Sequence, residues 1–421
     1  MSEAIPSERP EPSSQPGFAE ALKIHVKIGL LSFGGPAGQI ALMQQEIVER
    51  RGWVAPRAFD RGLAFSMMLP GPEAQQLATW LGWRLHGTAG GLAAGLAFIL
   101  PGAALMIVLA WLAAAKGHIP LVAAVFAGVQ PVVIALVLGA MLKIGRRALK
   151  GPAHWVLAGA AFVGLFALGL PFPLIVALAG IAGLAIAKDE PGPPAEAGAG
   201  LWRHFALVAG ISVALIAAVF VLVAMTLGTE PYRDVAELFT TAALVTFGGA
   251  YAVLPFVADS AVEHYHWLDA AQMLNGLAIA EATPGPLILV NTYAGFFAGW
   301  SASGTGAAGA LTAALATFYT FAPSFMLILA FAPAVERIQN VAWARRALAG
   351  VSAAVVGVIL NLAIYLAEAA FFPAGLAEPE IAKLALFAVA LVMVFRLHTG
   401  MLALVGFGVA SGLVLGLLGW I

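Results

Sequence analysis

The chain has no cysteine among its 421 residues, which excludes disulfides and thiolate metal sites. Charge is equally scarce. Only 10% of residues are Asp, Glu, Lys or Arg, and 21 basic residues against 22 acidic ones leave a net charge of -1, so there is no global pull toward nucleic acid. No nucleotide-binding P-loop, nucleophile elbow or zinc motif is present, and the histidines show no metal-ligand spacing. Neither a cofactor nor a metal is therefore expected, and ATP-driven pumping within this chain is excluded. The opening stretch, MSEAIPSERPEPSSQPG, lacks the basic start and apolar run of a cleaved signal peptide. What the chain has in quantity is apolar surface: 61% of it is AVILMFWYC, with a mean hydropathy of +0.94, which points to lipid as the main solvent.

Crossing a hydrocarbon core of roughly 30 Å takes about 20 apolar residues. Runs of that length recur, as in Leu92–Ala115, Leu121–Leu142, Phe205–Leu227 and Ala347–Ala370. The expected fold is all-α and polytopic. Two Pro- and Gly-rich polar stretches divide the chain: residues 1–17, read as a disordered cytoplasmic tail, and 188–200, read as a linker. The expected organisation is a first transmembrane repeat over 18–187, a connecting transmembrane helix over 201–228, and a second repeat over 229–421.

The repeat rests on landmarks held in one register. Ser32-Phe33-Gly34-Gly35 recurs as Thr246-Phe247-Gly248-Gly249, and Leu69-Pro70-Gly71-Pro72 as Thr283-Pro284-Gly285-Pro286, both at an offset of 214. Trp53 and Trp267, Glu49 and Glu263, and Gly62 and Gly276 share that offset. Farther along it becomes 222, pairing Pro101 with Pro323 and Gly128 with Gly350, which places about eight extra residues near Ser301–Ala308. A single additional crossing between the copies inverts the second. Basic residues agree, because cytoplasmic loops retain Lys and Arg: residues 20–150 hold 12 of them, the equivalent residues 234–372 only three. Loop parity further predicts that the FGGP and PGP segments are broken or re-entrant hairpins whose tips meet near the midplane, with Arg57 and Arg84 on one face.

Gly-Gly-Pro and Pro-Gly-Pro break a helix, and inside a membrane the freed backbone groups are tolerated where they are buried or line a cavity. Pro36, Pro72 and Pro286 are expected at first helical positions, where unpaired N–H groups and the helix dipole suit an anion. Opposed half-helix N-termini from two inverted copies make a transporter binding site. The candidate substrate residues are Ser32, Gly34, Gly35, Pro36, Gln39, Gly71, Pro72, Gln75 and Gln76 in the first copy. In the second they are Thr246, Gly248, Gly249, Thr283, Gly285 and Asn291. Glu73 and Glu281 flank the two PGP turns, and intramembrane carboxylates default to function. They could hold a proton while an anion is bound and lose it after release, or Glu73 could pair with Arg84 or cap its helix. Lys27 and Arg84 could draw or gate the anion or serve as interfacial anchors. Trp53 and Trp267 read as interfacial anchors.

The runs SFGGPAGQIALMQQEIVERRGWV, LPGPEAQQLATWLGWRLHGTAGG, TFGGAYAVLPFV and EATPGPLILVNTYAGFFAGW together resemble the paired signatures of the chromate ion transporter (CHR) family, in its long two-domain bacterial form. That resemblance implies a multi-pass protein of the bacterial inner membrane, with a cytoplasmic N-terminus, that exports chromate. Sulfate is the implied competitor. It also implies roles for Phe33, Gly34, Gly35, Pro36, Gln39, Trp53, Pro70, Gly71, Pro72, Glu73, Gln75 and Gln76, and for Phe247, Gly248, Gly249, Tyr251, Pro255, Trp267, Glu281, Pro284, Gly285 and Pro286. The second copy reads FGGA, so Ala250 is not expected to start a helix as Pro36 does, and the first copy is weighted for anion contact. A carrier or channel for sulfate or another oxyanion fits the same residues. A membrane enzyme would need a compact catalytic constellation, which is not seen. Small-residue spacings such as Gly91 to Gly95 and Gly180 to Gly183 permit a homodimer or, equally, packing inside one protomer.

Overall fold

The computed structural model describes residues 16–33, 35–186, 199–334, 342–375 and 377–420, so most of the expected tail and linker, together with Gly34, lie outside the described residues. Those residues form α-helices joined by short turns. The first half runs α1 (Phe18–Leu31), α2 (Gly35–Met43, continued by a π turn Gln44–Glu49), α3 (Pro56–Ser66), α4 (Glu73–Lys116), α5 (Pro120–Ala148), α6 (Pro152–Phe166) and α7 (Phe172–Ile186). After α8 (Ala199–Leu227) the same order returns. It comprises α9 (Tyr232–Val245), α10 (Ala250–Asp259, continued by a π turn Ser260–His264), α11 (Ala270–Ala282), α12 (Val290–Ser303), α13 (Gly306–Phe331), α14 (Ala342–Phe371), α15 (Ile381–Phe395) and α16 (Met401–Leu417). Local chemistry sets several starts. Pro56, Pro120 and Pro152 occupy opening positions, and Asp269 and Gln272 close a reciprocal capping box on α11 at 2.7 and 2.9 Å.

Among the described residues five stretches are long and apolar enough to cross a membrane: Glu73–Lys116, Pro120–Ala148, Trp202–Leu227, Gly306–Phe331 and Trp343–Phe371. The first is two arms rather than one rod, because His86 and Gly87 leave helical geometry and Gly87 takes φ 63°. The arms fold back on each other. A Cβ at Gly91 would sit 3.0 Å from the Thr79 carbonyl oxygen, and one at Gly82 would strike Gly90 and Ala94. The turn between α12 and α13 repeats this geometry, with Gly304 at φ 66° and Gly295 pressed on Ala316. The extra length in the second copy is shared between the arms there: α12 runs past the counterpart of Leu85, and α13 begins before that of Thr88. Each arm is thereby about one turn longer.

The FGGP and PGP segments are broken. At 14 residues, α1 is about 21 Å long and too short to span. Lys27 on α1 meets Glu46, in the segment beyond the break, at 3.0 Å, so the chain returns along its own path. In the same way Gly62 on α3 packs against the Trp80 ring on α4, and Gly276 on α11 against the Tyr293 ring on α12, which makes each PGP segment the tip of a hairpin. α1 runs beside the second arm of α4, with Phe18 5.5 Å from the His86 ring and Gly29 against Ala97.

The two halves exchange their last helices. Gly128 on α5 abuts Gly408 and Gly412 on α16, while its counterpart Gly350 on α14 abuts Ala179 and Gly183 on α7. Backbones approach this closely only where side chains are absent, the packing logic of helices in lipid. The Gly180–Gly183 spacing therefore serves an intramolecular contact. α8 packs on α13 through Phe205 and Phe331, 4.7 Å apart, and presents most of its apolar surface outward. Trp267 is buried, stacked 4.7 Å from Tyr265 and packed on Phe239, so it is a core residue and not the interfacial anchor expected.

Candidate functional site

Four breaks converge. The Gly71 amide donates to the Thr246 carbonyl at 2.8 Å, and the Gly285 amide donates to the Ser32 carbonyl at 3.0 Å. These are one contact made twice, since the two donors, like the two acceptors, are related by the repeat offset of 214. The FGG break of each half thus holds the PGP tip of the other. Glycine is required at the donors, because Gly71 has φ 126° and Gly285 φ 103°, where an L side chain is strained. Gly248 and Gly249, at φ 80° and 97°, turn the second FGG break, and Gly35, at φ 70°, turns the first.

Three glutamines of the first half brace this junction. The Gln39 carboxamide donates to the Gly285 carbonyl at 2.6 Å and to the Ser32 carbonyl at 3.3 Å, tying both tips at once. Gln76 donates to Pro70 at 2.7 Å. Gln75 donates to Thr79 at 2.9 Å and accepts from Ser324 on α13 at 2.7 Å. All three glutamines are fully buried. Their second-half counterparts are Val253, Val290 and Leu289, so the glutamines are particular to the first half. Ser324 itself replaces Gly102, which lies against Pro284 of the other tip.

The helix starts expected at Pro72 and Pro286, and the exclusion of one at Ala250, need correction, and the remaining candidates have the following places. Ser32 and Thr246 direct their hydroxyls to the Ile28 and Ala242 carbonyls in their own helices and contribute their carbonyls to the junction. Pro72 is the cap of α4, which begins at Glu73, and Pro286 caps a short 3-10 turn at Leu287–Leu289; only Pro36 lies within a first helical turn. Ala250 does open α10, because the positive φ of Gly248 and Gly249 makes the turn and alanine adopts helical φ as readily as proline. Thr283 caps the end of α11 and bonds Ala280 at 3.3 Å. Asn291 faces α13, donating to Thr320 at 3.2 Å, one helical turn from Ser324. Gly34 lies outside the described residues.

The charged candidates separate. Glu281 is buried and accepts a hydrogen bond from the Tyr251 hydroxyl, joining the two hairpins of the second half. Glu73 is half-buried at the first position of α4, where a carboxylate meets the positive end of the helix. It makes no ion pair with Arg84, whose guanidinium instead lies 5.8 Å from the Trp80 ring. Lys27 is committed to Glu46, which also receives Arg50 and Arg51 at 2.5 and 2.6 Å. The sequence reading missed Glu46 and Ser324. The i to i+4 spacing of Glu46 and Arg50 was an available signal for the first, and the 222 offset from Gly102 for the second. Among the described residues no group of His, Asp or Glu could hold a metal ion.

The profile of the chromate transporter family matches residues 19–184 and again 233–414. The chain belongs to the chromate transporter family. It is 34% identical over 372 residues to a chromate transport protein of Pseudomonas aeruginosa, covering 85% of this chain and 82% of that one. It is 27% identical to a chromate transport protein of Cupriavidus metallidurans over 88% of this chain and 86% of the relative. It is also similar to an uncharacterized transporter of Bacillus subtilis, YwrB, at 37% identity over 156 residues, which is 36% of this chain and 78% of that protein. No solved structure matches. Membership of this family makes the chain a multi-pass membrane transporter rather than an enzyme.

Proposed function

We propose that this chromate transporter family member exports chromate from the cytoplasm as a secondary active carrier, with the dianion held between the hairpin tips. One observation carries the reading: the paired amides of Gly71 and Gly285, at equivalent places in the two halves, are shared across the break of the opposite half. Each such backbone bond contributes about 0.5–1.5 kcal/mol net, whereas a bond to an ionised acceptor contributes about 1.5–3 kcal/mol. An oxyanion that took both amides from Ser32 and Thr246 would gain about 1 kcal/mol more per bond, which favours a rearranged junction once water or another donor satisfies the two released carbonyls. On this reading the junction in which Gly71 and Gly285 bond Thr246 and Ser32 is the closed form.

The two halves are taken as inverted repeats, supported by the odd helix α8 between them and the excess of Lys and Arg in the first half. The basic end is then cytoplasmic, in a bacterial inner membrane. Glu73 and Glu281 would carry the coupling proton, neutral beside a bound dianion and ionised after its release. Uptake of radiolabelled chromate into inverted vesicles, with and without a pH gradient and with excess sulfate, tests substrate, direction and coupling together. Chromate accumulation that sulfate reduces is the expected result, and Glu73→Gln with Glu281→Gln removes its dependence on the pH gradient. Vesicles that take up sulfate but not chromate would favour the other oxyanion carrier.

A further inference from the structure

The two tip contacts are equivalent by the repeat but differ in what stands beside them. A backbone carbonyl has two lone pairs and can accept twice. The Ser32 carbonyl does so, from the Gly285 amide at 3.0 Å and from the Gln39 carboxamide at 3.3 Å. The Thr246 carbonyl accepts from the Gly71 amide at 2.8 Å and, among the described residues, from no side chain; Val253 holds the position equivalent to Gln39. Ser32 and Thr246 are both buried, so a carbonyl that loses its amide at either place is left away from solvent. The Gln39 carboxamide also donates to the Gly285 carbonyl at 2.6 Å. That carbonyl and the Gly285 amide belong to different peptide planes, and glycine lets the two planes turn freely. Gln39 can therefore keep this tip docked by its carbonyl while the amide changes partner. The Gly71 tip sits instead among bonded polar groups: a Cβ there would lie 2.8 Å from Gln76 Nε2 and from Ser324 Oγ, each engaged in a 2.7 Å bond of its own.

We infer that Gln39 is a positioning residue that sets the order in which the junction opens: it catches the Ser32 carbonyl as the oxyanion takes the Gly285 amide, so Gly285 becomes the first anion contact and the bond from Gly71 to Thr246 opens second. Leaving a buried carbonyl without a donor lowers the population of the opened form by roughly ten-fold or more. The Ser32 carbonyl avoids that loss, because its 3.3 Å bond to Gln39 is long and can shorten once the competing amide has left. The Thr246 carbonyl has no such second donor among the described residues. This inference rests on the transport reading for the identity of the anion, and it adds an order that two equivalent contacts do not by themselves possess.

Hydrogen exchange of the full-length protein in detergent reads this order without any ligand. Gly71 and Gly285 each lie between two prolines, which carry no N–H, so each amide is isolated along the chain and the two share one intrinsic exchange rate. The Gly285 amide is expected to exchange about ten-fold faster than that of Gly71. Gln39→Met keeps the length of the side chain and removes both N–H donors; it should slow Gly285 about ten-fold and leave Gly71 within two-fold of its wild-type rate. In inverted vesicles the same variant should raise half-saturating chromate about ten-fold, with a smaller change in maximal rate. A Gly285 amide that exchanges no faster than Gly71 in the wild type overturns the inference. So does faster exchange at Gly285 in Gln39→Met, which would make Gln39 a clamp on the closed junction and nothing more, or half-saturation within two-fold of wild type in that variant. Absence of chromate uptake by the wild type would instead count against the transport reading, leaving the exchange comparison to decide the role of Gln39.

Discussion

Adding one methyl group at Gly71 tests the tip junction directly. Gly71 has φ 126°, and the backbone strain of an alanine there is about 1–3 kcal/mol. Its Cβ would also lie 2.8 Å from both Gln76 Nε2 and Ser324 Oγ, closer than real contacts allow. Relief requires moving a side chain whose hydrogen bond, Gln76 to Pro70 or Ser324 to Gln75, is 2.7 Å long. Losing one adds about 1 kcal/mol, for a total of roughly 2–4 kcal/mol placed on the joined junction. If the joined junction is an obligatory state of the cycle, Gly71→Ala slows chromate transport roughly 30-fold or more, at about 1.4 kcal/mol per factor of ten. Gly169→Ala is the matched control. It lies between α6 and α7 at φ 60° with nothing within 4 Å, so it carries backbone strain without touching the tips and should transport at the wild-type rate. Initial rates in inverted vesicles, normalised to protein in the membrane, compare the two. A Gly71→Ala rate above half that of wild type would refute the argument.

Glu46→Gln leaves Lys27, Arg50 and Arg51 facing a neutral group; because those bases are 43%, 54% and 25% exposed, the expected loss is modest, about 1–2 kcal/mol, read as a lower thermal midpoint. Gly350→Val should lower that midpoint far more, since any side chain meets Ala179 and Gly183, whereas Gly159→Val, with open space around it, should leave it unchanged. The absence of native cysteine allows single-cysteine labelling without background: Arg57→Cys and Arg84→Cys should react with an impermeant maleimide from the same face, and labelling from opposite faces would contradict the hairpin.

Much of the architecture was legible from the chain. The glycines at 71, 248 and 285 announce breaks because no other residue takes a positive φ cheaply, and the spans announce themselves by uninterrupted apolar length. Other features were not legible. Ala250 was misread because proline was taken as the agent of the turn, when two preceding glycines perform it. The full role of Glu46 was not legible because packing brings Lys27 to it from the other side of the break.

By itself the sequence determined the solvent, the breaks and the family, because composition, helix-breaking residues and recurring motifs act locally or can be compared position by position. Only the tertiary structure decided which groups the breaks serve. Amides freed at Gly71 and Gly285 find their acceptors across the opposite half, and the glutamines turn inward to brace that junction rather than stand free. Those pairings join residues from opposite halves of the chain, and no local rule of φ, period or charge specifies a partner at that distance.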